Sequence, residues 1–152
     1  MVKILFVCHG NICRSPMAEY IMKKICLEKH INIVIDSKAT STEEIGNTIY
    51  YEAKNILRKH NIPYNDRKAM RIEKNDYEYY DLIICMDHYN LTNIKRIIPY
   101  DHDHKIYLLR SFTGLDLDID DPWYTRDFET CYKQIYENCT ALLDYIIKTK
   151  AL

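Results

Sequence analysis

The sequence predicts an α/β fold: a three-layer, doubly wound sheet of about four parallel strands flanked by helices. Short apolar runs rich in β-branched residues alternate with longer segments in which apolar residues recur at steps of three and four. Residues 81–86 have the largely uninterrupted apolar character of a strand buried on both faces, which is typical of parallel sheets. The 152 residues contain no internal repeat, low-complexity tract or linker, so we expect a single domain over residues 1–152.

The first two strands and helices follow one another closely. Residues 2–7 are apolar β-formers that predict the first strand, and residues 16–27 carry apolar side chains at helical spacing. A second strand is predicted at residues 31–35, ending at Asp36, and a second helix at residues 49–58. This order favours parallel strands joined by right-handed crossovers, with a ligand site at their carboxyl ends.

The second half of the chain continues the alternation. Residues 81–86 predict the third strand, and Asp87 is placed as the N-cap of a helix around residues 91–97. Residues 105–109 predict a fourth strand. The last helix, residues 128–147, has the clearest periodicity and must lie against the sheet.

The charge of the chain is nearly balanced, with 21 Lys and Arg against 22 Asp and Glu. This argues against a nucleic-acid binder or a protein of anionic membranes, because both depend on an excess of basic residues on one surface. The longest apolar run near the start, residues 4–8, is too short for a signal peptide or a membrane span, so we expect a cytoplasmic protein. The six cysteines are then expected to be reduced thiols.

The turn between the first strand and the first helix has the residues of an anion site. Cys8 and Arg14 are separated by five residues, among them Gly10 and Asn11, which can adopt the left-handed backbone that such a turn requires. The backbone N–H groups and the helix N-terminus would point at one oxyanion, such as phosphate or sulfate, and Arg14 would bind two of its oxygens. Ser15 is placed to hydrogen-bond the Cys8 sulfur.

The same electrostatic field would stabilise a thiolate at Cys8. A thiolate below a bound phosphate dianion is placed for in-line attack on phosphorus, giving a phosphocysteine intermediate. The alternative is a buried cysteine at a strand end, followed by a solvated arginine. The glycine, asparagine and serine of the same turn, followed by Pro16 in the first turn of the helix, favour the chemical interpretation.

Residues 7–16, Val-Cys-His-Gly-Asn-Ile-Cys-Arg-Ser-Pro, resemble the N-terminal phosphate loop of the low-molecular-weight protein tyrosine phosphatases. The resemblance extends over nearly the whole chain, with further anchors at residues 36–41, 45–47, 85–91 and 121–124. It implies a protein tyrosine phosphatase that acts on phosphotyrosine-containing proteins or small aryl phosphates, as a monomer or weak dimer. We expect no metal ion or other cofactor, because phosphocysteine chemistry needs none.

The resemblance also implies roles for single residues. Cys8 is the expected nucleophile, Arg14 the phosphate clamp and Asp121 the general acid and base. In this family an aromatic wall, here Trp123 and Tyr124, encloses the substrate ring. Two loop cysteines, here Cys8 and Cys13, form a reversible disulfide. The other expected site residues line the phosphate loop or support it: His9, Gly10, Asn11, Ile12, Cys13 and Ser15, with support from Ser37.

Three positions depart from the family pattern. Glu43 stands where the family often has an aromatic residue, which makes one side of the substrate slot acidic. His9 stands at the rim, where it could bind substrate or face solvent. Arg67 lies in a segment that often supplies a histidine to the support of the phosphate loop. Either Arg67 substitutes for that histidine, or the support is smaller.

Two other activities use a loop of this kind. Arsenate reductases of this fold relay oxidation through a downstream cysteine pair, and Cys85 has no cysteine seven residues further on. Protein-arginine phosphatases tend to have threonine at the position of Ile12. Both details favour phosphotyrosine, although Glu43 keeps a cationic substrate open. A third hypothesis is a non-catalytic phosphate-binding or redox-sensing module, against which Asp121 argues. The Asp-His-Asp-His turn at residues 101–104 is predicted to be a solvated turn rather than a metal site.

Overall fold

The computed structural model describes residues 1–150. Its strands are β1 (Lys3–Cys8), β2 (Val34–Ala39), β3 (Leu82–Cys85) and β4 (Ile106–Leu108). They form one parallel sheet in the order β2-β1-β3-β4. The helices are α1 (Arg14–Glu28), α2 (Tyr51–Lys59), α3 (Asp76–Tyr79), α4 (His88–Ile94), α5 (Pro122–Thr125) and α6 (Phe128–Lys150), with a 3-10 helix at Leu109–Thr113.

Helices cover both faces of the sheet, as the alternation along β1 requires. Ile4 and Phe6 point to one face, where they join a core with residues of α1, α2 and α6. Leu5 and Val7 point to the other face and pack with residues of α3 and α4. All four side chains are fully buried, and each such side chain contributes roughly 1.5–3 kcal/mol to stability. The predicted three-layer α/β class and its four parallel strands are confirmed.

Strand β2 lies further along the chain than the apolar pattern predicted. It begins at Val34 and continues to Ala39, whereas the prediction ended it at Asp36. β2 is an edge strand that pairs with β1 and has a single bridge on its other side, from Ala39 to Arg71, and every second side chain of β2 is partly exposed. Ser37 is a buried polar residue of this strand, and its hydroxyl is satisfied by donating to Glu19 over 2.6 Å. The predicted start, around Ile31, is instead a connection that packs against the core.

The starts of three helices differ from the prediction by two to three residues: α2 begins at Tyr51, two residues after its predicted start, whereas α1 and α4 begin earlier than predicted. α1 begins at Arg14 rather than residue 16, and α4 begins at His88 rather than residue 91. At α4 the cause is a capping box: Asp87 accepts from the backbone N–H of Asn90, and the Asn90 side chain accepts from the backbone N–H of Asp87. The short helices α3 and α5 were not predicted.

The sheet brings the carboxyl ends of its strands to one edge. Cys8, the last residue of β1, pairs with Ala39 of β2, and Val7 pairs with Cys85 of β3. The loops that follow β1 and β3 therefore meet at this edge. Among residues 1–150, none of the helices has the length and apolar character needed to cross a membrane.

Candidate active site

Residues 8–15, the phosphate loop, curl around the sulfur of Cys8. The backbone N–H groups of Asn11 and Ser15 donate to Cys8 Sγ over 3.3 Å and 3.4 Å. Asn11 has the predicted left-handed backbone, with φ of 60°. Gly10 does not, so that expectation was wrong. A Cβ atom at position 10 would lie 3.3 Å from the Glu44 side chain, so the loop passes close to Glu44 at this glycine.

Ser15 supplies a directed hydroxyl to the same sulfur. Its Oγ lies 3.0 Å from Cys8 Sγ and accepts a hydrogen bond from the Asn11 side-chain amide over 2.7 Å. Because that acceptor position is occupied by Asn11, the hydroxyl proton of Ser15 is free to point at a Cys8 thiolate. The structure thus agrees with the predicted placement of Ser15.

Arg14 is 2% exposed and is fixed by groups from two other segments. Its Nη1 donates to Asp87 Oδ2 over 2.6 Å and to the carbonyl of Ile119 over 2.8 Å. Burial opposes the charge of Arg14, but Cys8, and after it Asp87 and Asp121, outweigh that effect and raise the pKa of Arg14. With Nη1 held in this way, Nε and Nη2 are the donors left for two oxygens of an anion.

Asp121 lies beside Arg14 at the mouth of the phosphate loop. It is the N-cap of α5: its Oδ1 accepts from the backbone N–H of Trp123 over 3.0 Å, and its Oδ2 is 3.5 Å from Arg14 Nη2. The neighbouring Asp120 is exposed. The predicted acid is therefore a partly exposed carboxylate on the rim of the same site as Cys8.

A cavity of about 200 Å³ stands over this loop. Trp123 is 43% exposed and Tyr124 81% exposed, so both can contact a bound ring. Trp123 is supported from behind by Tyr50, whose ring centroid lies 4.8 Å from that of Trp123. The structure brings nearly all the predicted loop and wall residues together around the cavity: Cys8, His9, Gly10, Ile12, Cys13, Arg14, Asp121, Trp123 and Tyr124.

Arg67 supports the phosphate loop from behind. This favours the first of the two alternatives, that Arg67 takes the place of the histidine that the family often has in this segment. It donates to the backbone oxygen of Asn11 over 3.0 Å, to the Asn11 side-chain oxygen, and to the backbone oxygen of Ser37 over 3.1 Å. The Asn11 amide in turn donates to the Ser37 hydroxyl over 3.0 Å. Glu19, which the sequence did not single out, completes this buried network by accepting from Ser37.

The rim opposite Asp121 carries the unusual pair His9 and Glu43. His9 Nε2 lies 2.9 Å from Glu43 Oε2, and both side chains border the cavity. Glu44 adds a second carboxylate to this side. His9 therefore contacts a neighbouring side chain at the rim, while the acidic side expected from Glu43 is present.

All six cysteines are free thiols in the structure, and five have raised pKa values. Burial raises the pKa of Cys26 to about 11 and that of Cys131 to about 12. Burial also raises the pKa values of Cys85 and Cys139, and by more than those of Cys26 and Cys131. The pKa of Cys13 is raised by burial first and then by the charge of Cys8.

The turn at residues 101–104 uses its first carboxylate for structure. Asp101 accepts from the Tyr77 hydroxyl over 2.6 Å and from the backbone N–H groups of Lys105 and Ile106 over 2.7 Å and 3.1 Å. Within residues 1–150, no group of three or more His, Cys, Asp or Glu side chains is placed to hold a metal ion.

Sequence reasoning missed several residues that shape the site. Asp87 was read only as a helix cap, and the Ile119 carbonyl and the Tyr50 ring were not singled out. An aspartate directly after a buried parallel strand was a usable signal for Asp87, because the ligand edge is there. A backbone carbonyl such as that of Ile119 leaves no signal in the sequence.

The sequence model of the low molecular weight phosphotyrosine protein phosphatase family matches residues 3–152. The chain is 39% identical over 149 residues to the low molecular weight protein-tyrosine-phosphatase PtpA of Staphylococcus saprophyticus, covering 97% of this chain and 96% of the relative. PtpA of Staphylococcus aureus is 38% identical over 150 residues, covering 97% of this chain and 96% of the relative.

Solved structures agree in fold. YfkJ from Bacillus subtilis has a TM-score of 0.94 at 34% identity, covering 99% of this chain and 97% of that one. SP-PTP, a low molecular weight protein tyrosine phosphatase from Streptococcus pyogenes, has a TM-score of 0.84 at 39% identity, covering 98% and 93%. DARP, a Drosophila arginine phosphatase, has a TM-score of 0.87 at 30% identity, covering 95% and 97%.

Proposed function

This chain belongs to the low-molecular-weight phosphotyrosine protein phosphatase family, and from that premise we propose that it hydrolyses phosphotyrosine through a phosphocysteine intermediate. One observation carries the proposal: Cys8 Sγ lies at the base of a loop whose N–H groups converge on it, with Arg14 and Asp121 at the same cavity. We further propose that residues 1–152 act as one domain in the cytoplasm, as a monomer or weak dimer, on phosphotyrosine proteins or small aryl phosphates.

In the first step the phosphate dianion enters the loop, and Arg14 binds two of its oxygens. The Cys8 thiolate attacks phosphorus in line with the departing phenolic oxygen, so an S–P bond forms while the P–O bond breaks. Asp121 donates its proton to the leaving oxygen. The N–H groups that surround Cys8 Sγ are suited to the equatorial oxygens, because they point into the loop before substrate arrives.

In the second step the phosphocysteine is hydrolysed. Asp121, now a carboxylate, removes a proton from water, and the water oxygen attacks phosphorus. The S–P bond breaks, which returns the Cys8 thiolate and releases inorganic phosphate. The Ser15 hydroxyl stabilises the departing thiolate by donating to it, as its 3.0 Å distance to Cys8 Sγ allows.

The test is hydrolysis of 4-nitrophenyl phosphate in dithiothreitol and EDTA. We expect Cys8→Ser to abolish turnover while phosphate still binds, and Asp121→Ala to lower kcat by about 10²–10⁴-fold, the usual contribution of a general acid. Undiminished hydrolysis by Cys8→Ser would refute the mechanism. Complete inactivity of the reduced wild type would favour a phosphate-binding or redox-sensing module.

A phosphoarginine substrate is the second candidate, because Glu43 and Glu44 make one side of the cavity acidic. The guanidinium of phosphoarginine could contact these carboxylates, whereas the ring of phosphotyrosine would use Trp123 and Tyr124. Comparing kcat/KM on a phosphotyrosine peptide with kcat/KM on its phosphoarginine counterpart decides between them. We expect the phosphotyrosine peptide to be the better substrate.

We also propose reversible oxidation between Cys8 and Cys13. A peroxide would oxidise the Cys8 thiolate to a sulfenic acid, and Cys13 would attack that sulfur with loss of water to give a disulfide. Cys13 is suited to the second role because it lines the same cavity as Cys8; burial and then the charge of Cys8 raise its pKa, and oxidation of Cys8 removes the second of these effects. We expect Cys13→Ser to lose the recovery of activity by dithiothreitol after peroxide treatment.

A further inference from the structure

A second set of ionic contacts joins α4 to the segment that carries Asp121. His88 is the first residue of α4, and its imidazole lies between two carboxylates. Nδ1 is 2.6 Å from Asp118 Oδ1, and Nε2 is 2.8 Å from Asp116 Oδ1. The His88 backbone N–H also donates to Asp118 Oδ1, over 2.9 Å. A neutral imidazole has one N–H, so only the protonated ring can donate to both carboxylates at once.

The segment held by these contacts, residues 114–121, forms no helix or strand. It is also anchored at Ile119, whose backbone N–H donates to the Met86 carbonyl over 2.8 Å and whose carbonyl accepts from Arg14 over 2.8 Å, and at Asp118, whose backbone oxygen accepts from Arg110. Asp121 lies two residues beyond Ile119. The place of its carboxyl group depends on the tie between this segment and α4 together with its own contacts with the Trp123 N–H and Arg14.

We propose that His88 is a positioning residue for the phosphatase reaction: its protonated ring ties residues 116–121 to α4 and so holds Asp121 at the leaving group. The inference rests on the proposed role of Asp121 as the general acid. It assigns to His88 an effect through Asp121, without contact to substrate.

The surrounding charges favour the protonated ring. Asp118, through its hydrogen bond, and then Asp116 raise the pKa of His88 above its ordinary value. Of the nearby charged groups, Asp87 directs its carboxylate to Arg14, and Arg110 donates to the backbone oxygen of Asp118 over 3.2 Å. Because the pKa is raised in the folded protein, the contacts are complete below about pH 6.5 and are lost as the pH rises through the raised value.

The contribution of a general acid depends on the leaving group. Phenolate is a much stronger base than 4-nitrophenolate, so phenyl phosphate needs proton donation more than 4-nitrophenyl phosphate does. A displaced Asp121 should therefore lower kcat/KM for phenyl phosphate more than for 4-nitrophenyl phosphate. A change that only destabilises the fold would affect both substrates equally.

The experiment compares both substrates in the wild type, His88→Gln and Asp116→Asn. Glutamine keeps one neutral donor but cannot bridge two carboxylates. For His88→Gln we expect kcat/KM to fall about 10-fold with phenyl phosphate and about twofold with 4-nitrophenyl phosphate, a partial loss of the general-acid contribution. Asp116→Asn should give a smaller loss in the same direction. The control is His102→Gln. His102 is exposed and precedes the amino end of β4, whereas the active site lies at the carboxyl ends of the strands, so this change should alter neither value.

The Asp121→Ala background separates positioning from stability. There, His88→Gln should cause no further selective loss, because the group that it positions is gone. Equal losses on the two substrates, or an undiminished selective effect without Asp121, would overturn the proposal. Failure of the proposed function has a different signature: the wild type would hydrolyse neither ester, or Asp121→Ala would leave both rates unchanged.

Discussion

Asn11 connects the phosphate loop to the support behind it, and every polar group of its side chain is used. Its amide donates to the hydroxyls of Ser15 and Ser37, and its Oδ1 accepts from Arg67 and from the backbone N–H of Met70. Asparagine tolerates the left-handed backbone better than most residues. These contacts hold the loop in a shape that suits the proposed anion.

Replacement of Arg67 by alanine should lower both activity and stability. It would remove the Arg67 donor from the backbone oxygens of Asn11 and Ser37 and leave Asn11 Oδ1 with the Met70 N–H alone, and an unpaired buried acceptor costs about 1–3 kcal/mol. We expect Tm to fall by about 4–8 °C and kcat/KM to fall about 10-fold as the loop loses its shape. Thermal unfolding and steady-state kinetics measure the two effects.

Lys68→Ala is the matched control, because Lys68 is the exposed neighbouring cation. It should leave Tm and kcat/KM unchanged. Arg67→Lys keeps the charge but cannot donate in the planar fork, so it should recover only part of the loss. A variant Arg67→Ala with wild-type kinetics would show that the phosphate loop keeps its shape without this support.

Removal of the Glu43 charge should strengthen anion binding. The carboxylate borders the cavity and repels a dianion, so Glu43→Gln should lower the inhibition constant of inorganic phosphate about two- to fivefold at low salt. The difference should shrink at high salt, because Glu43 is exposed and its field is screened. Glu137→Gln, an exposed carboxylate on α6, should have no effect. An unchanged constant for Glu43→Gln at low salt would contradict this electrostatic role.

At the scale of elements, the N-cap residue of α4, Asp87, both caps the helix and binds Arg14. Asp87 Oδ1 caps the helix by accepting from Asn90 over 2.7 Å, while Oδ2 accepts from Arg14 over 2.6 Å. The turn that starts α4 therefore also orients Arg14, the proposed phosphate clamp. Helix formation and the orientation of Arg14 are coupled through one carboxylate.

The two tasks can be separated by substitution. Asp87→Asn keeps the cap, so stability should change little, but kcat/KM should fall because Arg14 loses its charged partner. Asp87→Ala should lose the same activity and also about 1 kcal/mol of stability. Urea unfolding and kcat/KM report the two quantities.

Asp127 provides the control, since it caps the start of α6 by accepting from Thr130 over 3.0 Å and lies apart from Arg14. Asp127→Ala should cost a similar amount of stability with no change in kcat/KM. If Asp87→Asn were fully active, the Ile119 carbonyl and Asp121 would suffice to orient Arg14.

The elements that the sequence predicted well are those with a strong apolar period. Strand β3 and helix α6 are buried along whole faces, so their residues repeat clearly. β2 was misplaced because three of its six residues are polar, and Ser37 is buried only through hydrogen bonds to distant residues. α3 and α5 have four residues each, too few to show a period. Likewise, the spacing of Cys8 and Arg14 predicted that they belong to one site. The spacing could not predict that Arg14 binds Asp87 and the Ile119 carbonyl, because both are distant in sequence.

At the scale of the whole molecule, the proposed phosphate site should link anion binding to folding. An anion that binds only the native state stabilises it by about 2.7 kcal/mol when present at 100 times its Kd. Phosphate should therefore raise Tm by about 5–10 °C in the wild type and in Cys8→Ser, relative to chloride at equal ionic strength. Differential scanning calorimetry measures the shift.

Arg14→Lys should lose most of this phosphate-dependent shift, because lysine is a point charge that cannot bind two oxygens in a planar fork. Its unfolding in chloride provides the reference. A shift of equal size in Arg14→Lys would mean that phosphate stabilises the protein at another place.

The burial of the cysteines has a practical consequence for counting functional molecules. Five thiols combine burial with raised pKa values and so resist alkylation while the chain is folded. Cys8 and Cys13 both line the cavity, but the Cys13 pKa is raised and Cys8 is the proposed thiolate, so a negatively charged reagent such as iodoacetate would react at Cys8. Incorporation of one carboxymethyl group per native molecule would then titrate the competent fraction of a preparation directly, and added phosphate would protect that fraction.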